Sequence, residues 1–212
     1  MNDKSQVTTL FIDLDDTVYP TSAGIWQLIQ QRIFTYMEQV LGFPPAEVPT
    51  LRERLFTTYG TTLRGLQVEY HVSMQDYLDY VHDLDLSEYL SPNPELRVAL
   101  EGYSQTKWIF TNASAGHARN VLNVMELKNI FDGIIDVTDV EPYCKPHPQA
   151  YQIALHLAGN PLPRQCLLVD DRWQNLAAAR DLGFQVVLIS DEPEPGYPTI
   201  QKLADLPIVF PQ

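Results

Sequence analysis

The apolar positions along the chain fall into two patterns, and the first is a set of short, nearly continuous runs. Four such runs are rich in β-branched residues and are followed by polar or turn residues, at 7–14, 107–112, 165–171 and 184–190. Runs of this length and character predict buried parallel strands. A weaker run at 131–137 predicts a fifth strand.

The second pattern is the spacing of an amphipathic helix, which recurs between the later strands. It covers residues 115–127, 148–159 and 173–183, and the last stretch ends on a glycine that suits a helix C-terminus. Strands and helices therefore alternate in the second half of the chain, which predicts an α/β fold with a doubly wound, mostly parallel, Rossmann-like sheet. In the tail, residues 208–210 are a candidate for a short edge strand.

Residues 20–95 differ from the rest because they show helical spacing without a convincing strand pattern. The helical stretches lie at 24–41, 49–60 and 74–84, and prolines punctuate the segment as loop signals do. The sequence therefore predicts an all-helical insertion after the first strand. The α/β core would consist of residues 1–19 and 96–212, and the helical insertion of residues 20–95.

Composition and charge limit the partners of such a protein. The 212 residues suffice for one domain with a modest insertion, and the net charge of -13 disfavours nucleic-acid polymers and anionic membranes as partners. A small phosphorylated ligand is compatible with this charge, because one lysine, backbone amides and a metal ion can dominate a single pocket. The sequence does not predict the oligomeric state.

Segments for targeting or cross-linking are not evident in the sequence. The N-terminal stretch lacks the apolar core of a secretion signal, and no window is apolar enough for a membrane span. The two cysteines, Cys144 and Cys166, do not form a CxxC pair. We therefore expect a reduced, cytoplasmic protein.

Polar side chains stand where the predicted strands end, which is the edge at which α/β sheets bind ligands. They are Asp13, Asp15, Asp16 and Thr17 after the first strand, Thr111 and Asn112 after the second, Lys145 after the weak strand, and Asp170 and Asp171 after the next. Carboxylates converging from two strands would repel each other strongly unless a cation lay between them. Because all candidate ligands are oxygens, the set favours Mg²⁺ and points to phosphoryl chemistry.

Four segments carry these strand ends: FIDLDDT at 11–17, IFTNAS at 109–114, CKPHP at 144–148 and LLVDD at 167–171. They resemble, in the same order, the four motifs of the haloacid dehalogenase superfamily. The DxDxT pattern alone is a weak signal, but four ordered motifs near predicted strand ends are specific. The resemblance covers nearly the whole chain and implies a Mg²⁺-dependent hydrolase of phosphomonoesters.

The resemblance also implies roles for individual residues. Asp13 would be the nucleophile that forms an aspartyl phosphate, and Asp15 the general acid and base that protonates the leaving alkoxide and then activates water. Thr111, the amide of Asn112 and Lys145 would hold the phosphate oxygens.

The same resemblance implies the metal ligands. Mg²⁺ is expected at the side chains of Asp13 and Asp171 and the backbone carbonyl of Asp15, with Asp170 as a further or water-mediated ligand. Arg172 stands where the family's DDS pattern has serine, a departure beside these ligands. Asp15 argues against dehalogenation, because the dehalogenases of the superfamily lack this second acid.

The helical insertion resembles the C1 cap of subfamily I in this superfamily, whose closure would exclude water from the site. Several segments are similar to pyrimidine 5′-nucleotidases of the fungal and plant type: DLDDTVYPTSAGI at 13–25, YGTTLRGL at 59–66, FTNASAGHARNVL at 110–122, FDGII at 131–135 and CKPHPQAY at 144–151. This similarity implies a nucleoside monophosphate as the small phosphorylated partner.

Other functions stay open. A phosphatase or phosphomutase for a sugar phosphate or phosphoglycolate would share the acid pair and the metal, and a mutase would differ mainly in how its cap excludes water. A phospho-accepting regulatory domain also combines acidic residues, a threonine and a lysine, but its motif order and length differ. A catalytically silent binding protein on the same fold is disfavoured because all four motifs are intact.

Some residues near the motifs are predicted to be structural. Asp16 is interpreted as a turn or helix-cap residue. His117 and His147 are interpreted as cap or supporting residues, because neither has an evident partnered base. Helical spacing predicts core packing, with base stacking as the minor alternative, for Trp26, Ile29, Ile33 and Tyr36.

Overall fold

A computed structural model describes residues 7–211, so residues 1–6 and 212 of the predicted core lie outside the described residues. A parallel sheet forms its centre, with strands β1 Thr9–Ile12, β2 Thr106–Phe110, β3 Gly133–Ile135, β4 Cys166–Asp170, β5 Gln185–Ile189 and β6 Thr199–Ile200. The strand order is β3-β2-β1-β4-β5-β6, so the sheet grows outward on both sides of β1. This order confirms the predicted doubly wound, parallel α/β fold.

The described segment between β1 and β2 consists of helices and loops, as predicted. Its helices are α1 Ile25–Thr35, α2 Val48–Tyr59, α3 Thr62–Tyr70, α4 Met74–Val81 and α5 Pro94–Glu101, with a π-helical turn at Tyr36–Val40 and 3₁₀ turns at Thr21–Ala23 and Leu86–Glu88. The hydroxyls of Thr61 and Ser73 accept hydrogen bonds from the first turns of α3 and α4 and so fix where these helices begin. The predicted boundary after residue 95 falls inside α5, and the division of the chain stays a prediction.

The later helices alternate with the strands. They are α6 Ala115–Val124, α7 Pro148–Leu157, α8 Trp173–Asp181 and α9 Leu206–Val209, with 3₁₀ turns at Pro163–Gln165 and Leu203–Asp205. The predicted edge strand at 208–210 is wrong, because Pro207 in the first turn of α9 favours a helix start and the edge strand is β6. Among the described residues, no helix combines the length and the apolar character that crossing a bilayer requires.

Alternate residues of the central strands enter two different hydrophobic clusters, one on each face of the sheet. Leu10 and Ile12 of β1 pack into the cluster that includes the helices of the insertion. Phe11 points to the other face, where it contacts the rings of Phe110 and Phe184. Because both faces are covered, β1 is buried throughout, and its polar continuation emerges only at the carboxyl end.

Candidate active site

The carboxyl ends of β1, β2 and β4 open onto a cavity of ≈ 400 Å³, a volume within the range of roughly 300–1,000 Å³ that small ligands occupy. The core wall of this cavity consists of Asp13, Asp15, Asp16, Thr111, Asn112, Ala113, Lys145, Asp171, Arg172 and Asn175. The insertion wall lies opposite and consists of Trp26, Ile29, Ile33, Arg52, Phe56, Thr61, Thr62, Leu63, Tyr77, Leu78, Val81 and His82. The predicted site residues are thus together, apart from Asp170, which lies directly beneath them.

Lys145 is the centre of a buried charge network in the core wall. Its Nζ donates to Asp13 Oδ1 at 2.8 Å and to Asp170 Oδ2 at 2.7 Å, and the side chain is only 1% exposed. Burial alone would lower the pKa of Lys145, but the two carboxylates outweigh it and raise that pKa. The ammonium therefore stays charged next to Asp13.

Asp170 is fully buried, and protein donors occupy both of its carboxylate oxygens. Asn175 Nδ2 donates to Oδ1 at 2.9 Å and to Oδ2 at 3.0 Å, and the backbone N–H of Arg172 donates to Oδ1 at 2.9 Å. With Lys145 as a further donor, this carboxylate orients the lysine. That arrangement fits a water-mediated metal contact better than a direct one, and its metal role stays a prediction.

Three carboxylates could hold a metal ion in this wall. Asp13, Asp170 and Asp171 each offer an oxygen within 4.8 Å of the others. Burial, assisted by the neighbouring carboxylates and opposed by Lys145, raises the pKa of Asp13 to about 7. Burial and the charges of Asp13 and Asp170 raise the pKa of Asp171 to about 9. A hard cation would relieve this repulsion, and the all-oxygen donor set fits Mg²⁺.

Asp15 is held by two donors, neither of which belongs to the network around Lys145. Tyr19 Oη donates to Asp15 Oδ1, and His117 Nε2 lies 2.8 Å from the same oxygen. Burial alone would raise the pKa of Asp15, but His117 and Tyr19 outweigh it, so this pKa lies below its ordinary value. The carboxyl group therefore has a fixed position, with its second oxygen left for other contacts.

A histidine from the insertion wall completes this arrangement. The ring of His82 stacks on that of His117, with centroids 4.6 Å apart and planes at 18°, and its Nδ1 lies 2.9 Å from Ser114 Oγ. Burial and the neighbouring His117 lower the pKa of His82 to about 3, so its ring is neutral near pH 7. The stack connects the helical insertion to the residue that holds Asp15.

Thr111 and Asn112 follow β2 and differ in what their side chains do. Thr111 Oγ1 accepts from the backbone N–H of Ala113 at 3.0 Å, which leaves its hydroxyl proton for another acceptor. The Asn112 side chain pairs with the backbone of Lys145, donating to its carbonyl at 2.9 Å and accepting from its N–H at 2.8 Å. The Asn112 side chain therefore fixes the loop that carries Lys145, here called the lysine loop. The predicted contact of the Asn112 amide with a phosphate oxygen stays a prediction.

Backbone geometry shapes two further points of the site. Asp16 has φ of 58° in the turn after Asp13, a left-handed conformation that Asp tolerates better than most residues, so it is a turn residue as predicted. Gly60, with φ of +86°, ends α2 against the lysine loop, where an added Cβ would lie 3.1 Å from Cys144 Sγ. A side chain at this position would therefore require both a strained φ and a small shift of the lysine loop.

The structure also places the nearby residues for which the sequence predicted structural roles. Ile29 and Ile33 are buried as predicted, but they also line the cavity, as does the partly buried Trp26. His147 is exposed, begins α7 and stacks on Tyr143, outside the cavity lining. His117 is a supporting residue as predicted, and its partner is Asp15, a contact that the sequence did not show. Its signal in the sequence was its position in the first turn after the FTNAS motif, which a helix starting at a strand end directs towards the site.

Comparisons with known proteins agree with this geometry. A family model described as haloacid dehalogenase-like hydrolase matches residues 7–183. Phosphate metabolism protein 8 of Saccharomyces cerevisiae is 28% identical over 192 residues, which cover 84% of this chain and 60% of that protein. Pyrophosphatase PpaX of Bacillus cereus is 25% identical over 192 residues, covering 87% of this chain and 84% of that protein.

A solved structure supports the same fold. A haloacid dehalogenase-like family hydrolase from Streptococcus pneumoniae superposes with a TM-score of 0.62 at 23% identity, covering 96% of this chain and 98% of that one. At this identity the likeness concerns the fold alone. The chain spans only 60% of the length of the yeast relative, so the activity of that whole protein does not transfer directly.

Proposed function

The chain belongs to the haloacid dehalogenase-like hydrolases, and we propose that it is a Mg²⁺-dependent phosphomonoester hydrolase that acts through an aspartyl phosphate on Asp13. The observation that carries the proposal is the contact between Asp13 Oδ1 and Lys145 Nζ at 2.8 Å, in a cavity that Asp15 and Asp171 also line. A nucleophilic carboxylate, a fixed cation and a second acid are the groups that phosphoryl transfer through a carboxylate requires.

In the first half-reaction, an Asp13 oxygen attacks phosphorus and the bond to the leaving oxygen breaks, while the Asp15 carboxyl gives that oxygen a proton. Because His117 and Tyr19 lower the pKa of Asp15, this step requires that the negative charge of the bound phosphate raise that pKa so that Asp15 takes up a proton first. In the second, ionised Asp15 takes a proton from water, the water oxygen attacks the phosphoryl group, and Asp13 is released with inorganic phosphate. His117 and Tyr19 keep the Asp15 carboxyl in place for both proton transfers.

The phosphoryl oxygens need donors that do not move during the reaction. We assign them to Lys145 Nζ, the Thr111 hydroxyl and the backbone N–H of Asn112. Thr111 and Asn112 follow the end of β2, and Lys145 lies in the loop before α7. Each such donor contributes about 3–4 kcal/mol to the transition state in comparable sites. The Asn112 side chain, through its two hydrogen bonds to Lys145, keeps the lysine loop aligned with them.

The metal ligands would be the Asp13 and Asp171 side chains and the Asp15 backbone carbonyl, with Asp170 contributing through water. When bound, Mg²⁺ would supply positive charge between an anionic nucleophile and an anionic phosphate. The raised pKa values of Asp13 and Asp171 support this assignment, because burial and the neighbouring carboxylates disfavour the charged forms that a bound cation would favour.

The substrate that we propose is a nucleoside monophosphate, with a pyrimidine nucleotide as the first candidate. The resemblance of the motifs and of the insertion to pyrimidine 5′-nucleotidases supports it. The insertion wall supports it too, since Trp26, Phe56 and Tyr77 offer aromatic surface to a planar base. The names of the yeast and Bacillus relatives, a phosphate metabolism protein and a pyrophosphatase, support phosphorus chemistry in general.

Phosphate release from a substrate panel tests the proposal. The panel contains UMP, CMP, AMP, ribose 5-phosphate, phosphoglycolate and pyrophosphate, each with Mg²⁺ and with EDTA. We expect UMP or CMP to have the highest kcat/KM and EDTA to abolish release. A leading sugar phosphate or phosphoglycolate would contradict the nucleotide assignment but keep the mechanism, and release of phosphate from none of them would contradict the enzyme itself.

A further inference from the structure

Two guanidinium groups lie against one phenyl ring in the cavity. Arg52 belongs to α2 in the insertion wall, and Arg172 precedes α8 in the core wall. Their Cζ atoms lie 5.2 and 4.6 Å from the centroid of the Phe56 ring. In a chain with a net charge of -13, two cations at one point of the cavity mark a place for an electron-rich ligand group.

The contacts of Arg52 within the protein leave part of it unsatisfied. Its side chain is 11% exposed, and its ion pair with Glu53 spans 3.2 Å to a carboxylate that is 65% exposed. Solvent weakens such a pair. Arg52 Nε is buried and has no hydrogen-bond partner among residues 7–211. A buried guanidinium that the protein does not fully pair is suited to donate to a ligand.

The surroundings of Arg52 restrict what that ligand can be. The Trp26 ring lies 6.0 Å from Arg52 Cζ, and Ile29, Tyr77 and Val81 continue the same wall. Apolar and aromatic surface disfavours a bare, heavily hydrated sugar and favours a flat ring. The guanidinium requires that the edge of this ring carry an oxygen acceptor.

We propose that Arg52, Phe56 and Arg172 form a leaving-group subsite that binds the carbonyl edge of a planar base, with Arg52 as the specificity-determining residue. This inference rests on the proposed function and deepens it, because it assigns the base of the nucleotide to named side chains. The phosphate end contacts the core wall, and the base reaches the insertion wall at α2.

The test compares UMP with ribose 5-phosphate, which has the same phosphate and sugar but no base. In Arg52→Met, the ratio of kcat/KM for UMP to that for ribose 5-phosphate should fall about 10- to 100-fold, as expected when a charged hydrogen bond is lost. Arg52→Lys, which keeps the charge but not the planar donors, should give an intermediate ratio. It also carries the test if Arg52→Met does not fold.

Arg54→Met is the matched control, because Arg54 lies on the same helix but pairs with Glu69 on the exposed surface. Its ratio should equal that of the wild type. A wild-type ratio in both Arg52 variants, or an equal fall in Arg54→Met, would overturn the subsite.

Calorimetric titration with UMP in EDTA, where we expect no hydrolysis, separates this inference from the proposed function, because it measures binding without turnover. If the protein hydrolyses nothing but Arg52→Met weakens UMP binding about 10- to 100-fold, the subsite stands and the hydrolase proposal fails. If UMP is hydrolysed but its Kd is the same in the wild type and Arg52→Met, the hydrolase stands and the subsite fails.

Discussion

The two walls of the cavity differ in how their side chains are held. In the core wall, Lys145 Nζ donates hydrogen bonds to Asp13 at 2.8 Å and to Asp170 at 2.7 Å. Asp13 and Asp170 stand at strand ends, and Lys145 stands in a loop that the Asn112 side chain fixes. In the insertion wall, residues such as Ile29 and Val81 are held by helix packing alone. Charge and backbone geometry therefore fix the core wall, whereas apolar packing shapes the wall that we propose to contact the leaving group.

The difference predicts that changes in the two walls affect different kinetic constants. A change in the core wall removes positioned charge. Because this charge acts mainly in the transition state, its loss lowers kcat. A change in the insertion wall removes contacts with the leaving group. Because these contacts stabilise the bound substrate and its transition state alike, their loss raises KM. The contacts between the walls, such as the His82 and His117 stack, are where this separation should be weakest.

The largest effect is expected for Lys145→Met, which removes the cation of the core wall. We expect kcat to fall about 10²- to 10³-fold. Loss of the partner of two buried carboxylates should cost about 3–5 kcal/mol of unfolding free energy, or roughly 6–20 °C in Tm. Kinetics and thermal unfolding, both with and without Mg²⁺, provide the measurement.

Lys107→Met is the control for this prediction, because Lys107 is a buried lysine of β2 that donates to the carbonyls of Tyr103 and Gln105 at 2.6 and 3.0 Å. Its removal leaves no ionised carboxylate without a partner, so kcat should not change. An equal loss of kcat in both variants would show that packing, not charge, holds the core wall.

The next effect concerns His117, which holds Asp15 at 2.8 Å. In His117→Leu, we expect kcat for an alkyl phosphate such as UMP to fall about 10- to 100-fold, a part of what a general acid contributes. Turnover of p-nitrophenyl phosphate should fall less, because its leaving group needs no proton. His117→Gln, which keeps a donor, should recover part of the loss.

His147→Ala is the comparison for this histidine, since His147 is exposed and lies outside the cavity lining. It should leave both substrates unaffected. An equal loss on both substrates in His117→Leu would mean that the residue supports the fold and does not position the acid.

Metal-free protein should depend on pH in a defined direction. In the folded state the pKa values of Asp13 and Asp171 are about 7 and about 9, above the ordinary value of 3.8. Between these limits Asp13 and Asp171 bind more protons in the folded state than in the unfolded state, so their contribution to the unfolding free energy falls as pH rises from about 4 to about 9. Mg²⁺ at about 100 times its Kd should restore about 5–10 °C of Tm near pH 8.

The same addition near pH 5 should give a much smaller gain, because the carboxylates are then protonated and bind Mg²⁺ poorly. Thermal unfolding at the two pH values with Mg²⁺ and with EDTA measures both gains. Equal gains at both pH values, or none, would contradict a metal site formed by these residues.

The smallest effect is expected for Trp26 of the insertion wall. Trp26→Leu removes an aromatic surface that lines the cavity without touching the charge network. We expect KM for UMP to rise about 2- to 10-fold, the range of an aromatic contact, and to change more than kcat. A fall in kcat larger than the rise in KM would break the distinction between the two walls.

The sequence predicted the sheet and the core wall because both depend on local patterns. Buried parallel strands are continuous apolar runs, and Asp13, Thr111 and Asp171 follow such runs directly. The tail was mispredicted because the apolar segment at 208–210 follows Pro207, and the proline outweighs the apolar pattern.

The contacts between the walls could not be read from the sequence. His82 and His117 meet only because the end of α4 lies against the start of α6. Phe56 meets Arg52 on one helix but meets Arg172 only through the folded chain. Helical spacing showed that Trp26 and Ile29 share a face but not that this face also borders a cavity. Such pairings depend on helix packing, which no single segment specifies.

Direct capture of the phosphorylated residue tests the central claim. Wild-type protein is mixed with UMP and Mg²⁺, quenched in acid within a single turnover, and digested for mass spectrometry. We predict a transient phosphoryl group on Asp13, absent from Asp13→Asn, whose kcat should be abolished while its Tm stays close to that of the wild type. A phosphoryl group on another residue, or unchanged turnover in Asp13→Asn, would contradict the account.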